Sequence, residues 1–169
     1  MDPREAPLSL RPANLADAED IVRVHHAAVH TSGATSYSEE VLDAWSGDPS
    51  EARFERMRRA IASEDELVLV AESSSRVIAF GSVVVSLTEL RSLYVHPDAS
   101  RRGVGAALLA ELERLAVKRG LTRLQLKASL NAEAFYRRSG YAVVGPGVHQ
   151  IAAGLTMACV EMRKELAQQ

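Results

Sequence analysis

Apolar and polar residues alternate over Leu8-Ser9-Leu10-Arg11, and this period of two predicts a first strand. The period then changes. Ala18, Ile21, Val22, His25 and Val29 fall on one face at helical spacing, Asn14 stands as a cap, and Asp17, Glu19 and Asp20 fill the early turns. Gly33 reads as the stop. A short helix follows, capped by Ser38, with Glu39 and Glu40 in its first turn, Val41, Leu42 and Trp45 as its apolar face and Gly47 at its end. Asp48-Pro49-Ser50-Glu51 predicts a third helix start: an N-cap, a proline at the first helical position and a glutamate three residues after the cap. That helix turns Phe54, Met57 and Ile61 inward.

Residues 66–72 and 76–86 read as antiparallel strands joined by Ser73-Ser74-Ser75, and Leu90 to Val95 as a third central strand. A helix over Ala107 to Arg119 is expected to bury Val104, Leu108, Leu112 and Leu115 and to close on Lys118, Arg119 and Gly120. Leu124 and Leu126 alternate with Arg123, Gln125 and Lys127 in a further strand. A short helix from about Ala132 to Ser139 stops at Gly140. Tyr141 to Ile151 and Leu155 to Met162 form a final hairpin across Ala152-Ala153-Gly154, and the residues after about Lys164 are expected to fray. This order implies an α+β fold: a central mixed, mostly antiparallel sheet flanked by helices, in which the helix after Gly105 crosses between two parallel strands.

A length of 169 residues suits a single domain over 1–169, with its core at about 8–164. The net charge of -2 gives no reason to expect nucleic acid or an anionic membrane as partner. Arg53, Arg56, Arg58 and Arg59 cluster, but Glu51, Glu55, Glu64 and Asp65 flank them, which reads as a solvated helix face. Cys159 is the only cysteine, so no intrachain disulfide forms; it lies in an apolar run and reads as a small buried side chain. No apolar run approaches the roughly 18 residues that span a membrane. Met1-Asp2-Pro3-Arg4-Glu5 has no apolar signal region, so a cytoplasmic setting is the expectation.

Arg101-Arg102-Gly103-Val104-Gly105-Ala106 carries the most chemical information. Strand, glycine turn, helix makes an anion cradle, because the first helical N–H groups lack intrahelical partners and lie at the positive end of the dipole. The dinucleotide fingerprint fails, since Leu108 stands where its third glycine belongs, and the P-loop fails, since no lysine follows Gly105 until Lys118. The stretch from Leu93 through Pro97 and Asp98 to Leu109, together with residues 131–141 (Asn131 through Phe135, Tyr136 and Gly140 to Tyr141), resembles the paired motifs of the GNAT superfamily of N-acetyltransferases. The resemblance implies the GNAT fold, in which two parallel strands splay and acyl-CoA enters the gap.

It also implies roles. Backbone groups over Leu93, Tyr94 and Val95 would pair with the pantetheine arm as an extra strand does. The N–H groups of Arg101, Arg102, Gly103, Val104, Gly105 and Ala106 would hold the pyrophosphate, with Ser100 departing from the family's usual Gln or Arg at the first place of the motif. Asn131 would contact the pantetheine or cap the following helix. Acetyl-CoA would be the co-substrate, with no metal, and the acceptor a primary amine of a small molecule or a peptide. Members of the family are often homodimers.

Tyr136 matches the family's proton donor to the departing thiolate. The proton acceptor stays open between Glu89, placed by period-two counting on the face of Val95, His149 in the last hairpin, and a water chain. Tyr37, Trp45 and Phe54 are candidates for the acceptor pocket or the core. His26 and His30 have metal-like spacing, but no third ligand is evident. His25 reads as a core histidine, and His96 as structural. A non-catalytic acyl-CoA-binding module is the alternative, and another nucleotide or phosphate binder is a third reading.

Overall fold

The computed structural model describes residues 7–152 and 154–167. Met1 to Glu5 and Ala153 of the expected hairpin turn lie outside them. The elements are β1 (Ser9–Pro12), a 3-10 turn (Leu15–Asp17), α1 (Ala18–Ser32), α2 (Glu39–Trp45), α3 (Glu51–Ala62), β2 (Glu66–Ser73), β3 (Arg76–Val84), β4 (Glu89–Val95), α4 (Val104–Lys118), β5 (Arg123–Ser129), α5 (Glu133–Arg138), β6 (Ala142–Ala152) and β7 (Leu155–Glu165). The strands form one sheet in the order β1-β2-β3-β4-β5-β7-β6. Among the described residues only β4 and β5 pair in parallel. Among the described residues no helix is long and apolar enough to cross a membrane.

The β2 sequence shows how both faces are covered. Leu69 and Ala71 bury on the α4 side with Leu108 and Leu112, while Val68 and Val70 bury on the α1 side with Ile21 and Phe80. A strand that must feed two cores is apolar at consecutive positions. β5 instead alternates, burying Leu124, Leu126 and Ala128 and exposing Arg123, Gln125 and Lys127, because only one of its faces meets a core. Gly81 of β3 lets α4 approach the sheet: a Cβ there would lie 2.6 Å from Leu112 Cδ1 and 2.9 Å from the Ser92 carbonyl oxygen.

Several boundaries move from where local signals put them. α4 starts at Val104, three residues before the apolar repeat begins, and its buried face is Val104, Leu108, Leu109, Leu112 and Ala116, with Leu115 only half-buried. The cap of α3 is Ser50, so Asp48 and Pro49 precede the helix and the expected capping box is not used. Gly33 does close α1 as its C-cap, with a right-handed φ of -72°, and the chain runs on into a 3-10 turn. Its lack of a side chain also serves the contact with α2, where a Cβ would lie 2.8 Å from Leu42 Cδ2. β7 runs on past Lys164 to Glu165, and Leu166 is buried, its N–H donating to the Thr122 carbonyl at 2.8 Å.

The entry to α1 is pinned by charge. Asn14 accepts from the Ala16 N–H and donates its own N–H to Asp17 (2.9 and 2.8 Å). Arg11 donates to both Asp17 oxygens at 2.8 and 2.9 Å and to Glu72 at 2.7 Å, tying β1, α1 and β2 together. The Arg11 bonds, and then the Asn14 N–H, hold the Asp17 carboxyl below its ordinary range against the cost of burial. A lowered folded-state pKa stabilises fully above the unfolded value of about 3.9, and that stabilisation is lost as pH falls through the folded value. Denaturant midpoints should therefore drop on acidification below about pH 4, and Asp17→Asn should be less stable at neutral pH with a flatter acid limb. An acid limb unchanged in Asp17→Asn would remove this group from the account.

Candidate functional site

β4 and β5 touch only at their beginnings. Their single paired register is Glu89 with Gln125, closed by the Gln125 N–H on the Thr88 carbonyl at 2.9 Å. Beyond that point the strands part, while β4 keeps its antiparallel partner: Leu93, Tyr94 and Val95 pair with Gly81, Phe80 and Ala79. The other edge of this half of β4 is open, as is the facing edge of β5. A cavity of ≈ 640 Å³ fills the gap, walled by Leu93 and Tyr94 on one side, Leu126 to Ser129 on the other, and Ala132 and Tyr136 at the start of and within α5. Met157, Cys159 and His149 of the last hairpin complete it, and Glu89 stands at its β4 end.

The glycine turn follows the C-terminal end of β4. Arg101 and Gly103 both take left-handed backbone conformations (φ 61° and 76°), which turn the chain into α4. A Cβ on Gly105 would rest on Val95 and Phe135, so this turn packs directly on β4 and α5. The N-terminus of α4 differs from those of α1, α2, α3 and α5. Each of those carries Asp or Glu in its first turn; α4 carries none, and its cap, Gly103, offers no side-chain acceptor. Its positive end is thus left uncompensated. Arg101, Arg102, Gly103 and Ala106 are exposed, whereas the Val104 side chain is buried in the core.

Tyr136 is 8 % exposed, its ring held edge-on by Phe135 and Tyr141. Its hydroxyl reaches the cavity with no hydrogen-bond partner among the described residues. Burial, and then the neighbouring Tyr94, push its pKa above the ordinary phenol value. Glu89 and His149 wall the same cavity and feel each other. Burial and Lys127 lower the His149 pKa, and Glu89 partly opposes them. Arg91 Nε donates to Glu89 at 3.0 Å.

Two placements differ from the sequence reading. Glu89 is not on the face of Val95. Ser82 pairs with Ser92 but Val83 with Leu90, so Arg91 bulges out and shifts the alternation by one. Leu90, Leu93 and Val95 face the α4 core while Tyr94 faces α1, which puts Glu89 on the Tyr94 side. Asn131 is not the cap of α5; Ala132 is, and Asn131 is exposed outside the cavity wall.

Local patterns missed further wall residues. A second cavity, of ≈ 270 Å³, opens between α1, α3 and the sheet and shares His25, Trp45, Arg56, Arg91 and Ser92 with the larger one. Arg53 and Arg56 line it, so only part of the basic run on α3 is a solvated face; Arg58 pairs with Glu51 and Glu55 as expected of such a face. His25 is more than a core residue. It bonds the Ser46 hydroxyl at 3.0 Å and lines both cavities, and burial, with Arg53 adding to it, lowers its pKa to about 4. Cys159 is buried yet lines the larger cavity, where burial raises its thiol pKa.

The aromatic candidates separate. Trp45 lines both cavities, Phe54 is core, and the Tyr37 hydroxyl donates to the Ala158 carbonyl (2.6 Å) and accepts from the Leu130 N–H (2.8 Å), bracing β7 against the β5–α5 loop. His26 and His30 both donate to the Ser46 carbonyl, at 3.1 and 2.7 Å, and so fasten α1 to the end of α2.

The acetyltransferase (GNAT) domain model matches residues 33–166, which span the open gap, the glycine turn and the last hairpin. The chain belongs to the GNAT acetyltransferase family. This N-acetyltransferase is 25% identical over 143 residues to a spermidine N(1)-acetyltransferase of Thermoplasma acidophilum, covering 80% of this chain and 89% of that one. It superposes on a GCN5-related N-acetyltransferase of Rhodopseudomonas palustris with TM-score 0.83 and 32% identity, over 94% of this chain and 95% of the other. The PaiA N-acetyltransferase of Thermoplasma acidophilum, solved in complex with coenzyme A, matches with TM-score 0.78 at 23% identity, over 94% of this chain and 99% of that one.

Proposed function

We propose that this acetyltransferase moves the acetyl group of acetyl-CoA to a primary amine of a small molecule or peptide by direct attack, with the whole chain acting as one catalytic domain. The observation that carries the reading is the open edge of β4 leading to the only α-helix N-terminus of the described residues without a first-turn carboxylate. Free strand-edge groups suit an amide-bearing arm such as pantetheine. The uncompensated N–H groups at residues 104–106 suit its pyrophosphate. Arg101 and Arg102, exposed beside the turn, add positive charge there. The complex of PaiA with coenzyme A supports the same ligand class. Asn131, exposed at the end of β5, is the remaining candidate contact for the arm.

Acetyl-CoA supplies a thioester open to attack by a neutral amine. His149, kept neutral at pH 7 by its lowered pKa, accepts the ammonium proton, and Glu89 steadies the imidazolium. Tyr136, kept protonated by its raised pKa, donates to the departing thiolate. A reducing, cytoplasmic setting suits the unpaired thiol of Cys159.

Calorimetry with acetyl-CoA, using ATP and NAD as controls, tests the cofactor, and CoA release over an amine panel tests turnover. Selective acetyl-CoA binding with CoA release is the expected result. Binding without release from any amine would leave the sensor reading, and competition by ATP or NAD would point to a different nucleotide.

A further inference from the structure

The smaller cavity carries a charge pattern that acetyl transfer by itself does not require. α3 turns Arg53, Arg56, Met57 and Ala60 toward it, a stripe at positions i, i+3, i+4 and i+7, and the bulge in β4 delivers Arg91 from the sheet. Neither the Arg53 nor the Arg56 side chain makes an ion pair or hydrogen bond among the described residues, although Glu51 and Glu55 stand on the same helix. Glu66 is the single carboxylate in the wall, and it lies 4.0 Å from Arg91. His25 stays neutral at pH 7, since burial lowers its pKa to about 4. Arg91 is thus held between Glu66 and Glu89, which accepts from its Nε at 3.0 Å, and the unpaired positive charge of the wall is that of Arg53 and Arg56.

A second observation is independent of these charges. The Ser82 hydroxyl, on a residue only 3% exposed, opens into the same cavity without a hydrogen-bond partner among the described residues. Ser92 faces it across the β3–β4 pair and lines both cavities. Cavity-facing hydroxyls beside the unpaired guanidiniums of Arg53 and Arg56 are donors available to an anionic acceptor.

We infer that the acceptor is an amine that also carries a small oxyanion, a carboxylate or phosphonate, held in the smaller cavity by Arg53, Arg56 and Arg91 with the hydroxyls of Ser82 and Ser92. This rests on the acetyl-transfer reading and names its substrate class. The two cavities share Arg56, Arg91 and Ser92, so the anion sits on the α3 side while the amine reaches the β4–β5 gap. Planar guanidiniums bind such oxyanions in bidentate fashion. A polycation such as spermidine would meet like charge instead.

The test is CoA release from acetyl-CoA with β-alanine, aspartate and 2-aminoethylphosphonate, set against butylamine and spermidine. The anionic amines should show kcat/KM at least about 10-fold above the other two, and Arg53→Ala and Arg56→Ala should each raise their KM about 10- to 100-fold with the Kd of acetyl-CoA unchanged. Spermidine as the preferred acceptor, or KM unmoved in both variants, overturns the subsite and leaves acetyl transfer standing. If no amine in the panel releases CoA, it is acetyl transfer that fails. The subsite is then read without turnover by titrating methylphosphonate into the wild-type protein and the Arg53→Ala/Arg56→Ala double variant. Binding lost in the variant supports it; equal heats, or none in either protein, overturn it.

Discussion

Tyr136→Phe is expected to lower kcat by about 100- to 10,000-fold, the range a positioned general acid contributes. Stability and acetyl-CoA affinity should barely move. The phenylalanine ring keeps the edge-on packing against Phe135 and Tyr141, and removing a hydroxyl that has no protein partner leaves nothing unpaired behind. A raised phenol pKa makes Tyr136 a weaker acid than a free phenol, but the departing thiolate leaves beside the same buried ring. Desolvation disfavours that anion too and raises its proton affinity. The sign of the shift also sets the pH profile: a group whose pKa is raised stays protonated further into alkali, so loss of the Tyr136 proton should not limit kcat below about pH 10. Steady-state kinetics of the variant with calorimetry alongside separate these effects. A kcat within a few-fold of wild type would reduce Tyr136 to a wall residue.

Ala106→Glu should weaken acetyl-CoA binding by roughly 100-fold, since like charges a few ångströms apart near a protein surface repel by some kcal/mol. Ala106 is exposed in the first turn of α4, where a carboxylate meets the positive end of the dipole. That contact should hold or slightly raise the melting temperature, by an amount corresponding to about 0.3–1 kcal/mol. Affinity and stability thus move in opposite directions. A merely damaged fold would lower both, and unchanged affinity would remove the α4 N-terminus from the phosphate site. Raising the salt concentration should narrow the gap between variant and wild type, because the repulsion is screened.

Much of the molecule was legible in the chain because its determinants are local. Alternation marked β5, the change of period marked α1, and Asn14 and Ser38 do cap where their side chains suggest. The glycine turn and the segment around Tyr136 pointed to the family, since an anion cradle and its strand are built from consecutive residues. Where local signals failed, a distant contact had overruled them. Leu166, expected to fray, is held by Thr122 on a neighbouring segment.

By itself, then, the sequence determined the order of elements, the α+β class and the acetyltransferase family, because periodicity, caps and contiguous motifs act within a few residues. Only the tertiary structure decided where the sheet opens, which face Glu89 takes, and that Arg53, Arg56 and Arg91 share one cavity with Ser82. Those features depend on strand register and on helices packed across the sheet from residues far away in the chain. A single bulged residue at Arg91 reverses the faces that period-two counting assigns, and nothing in the local pattern marks it.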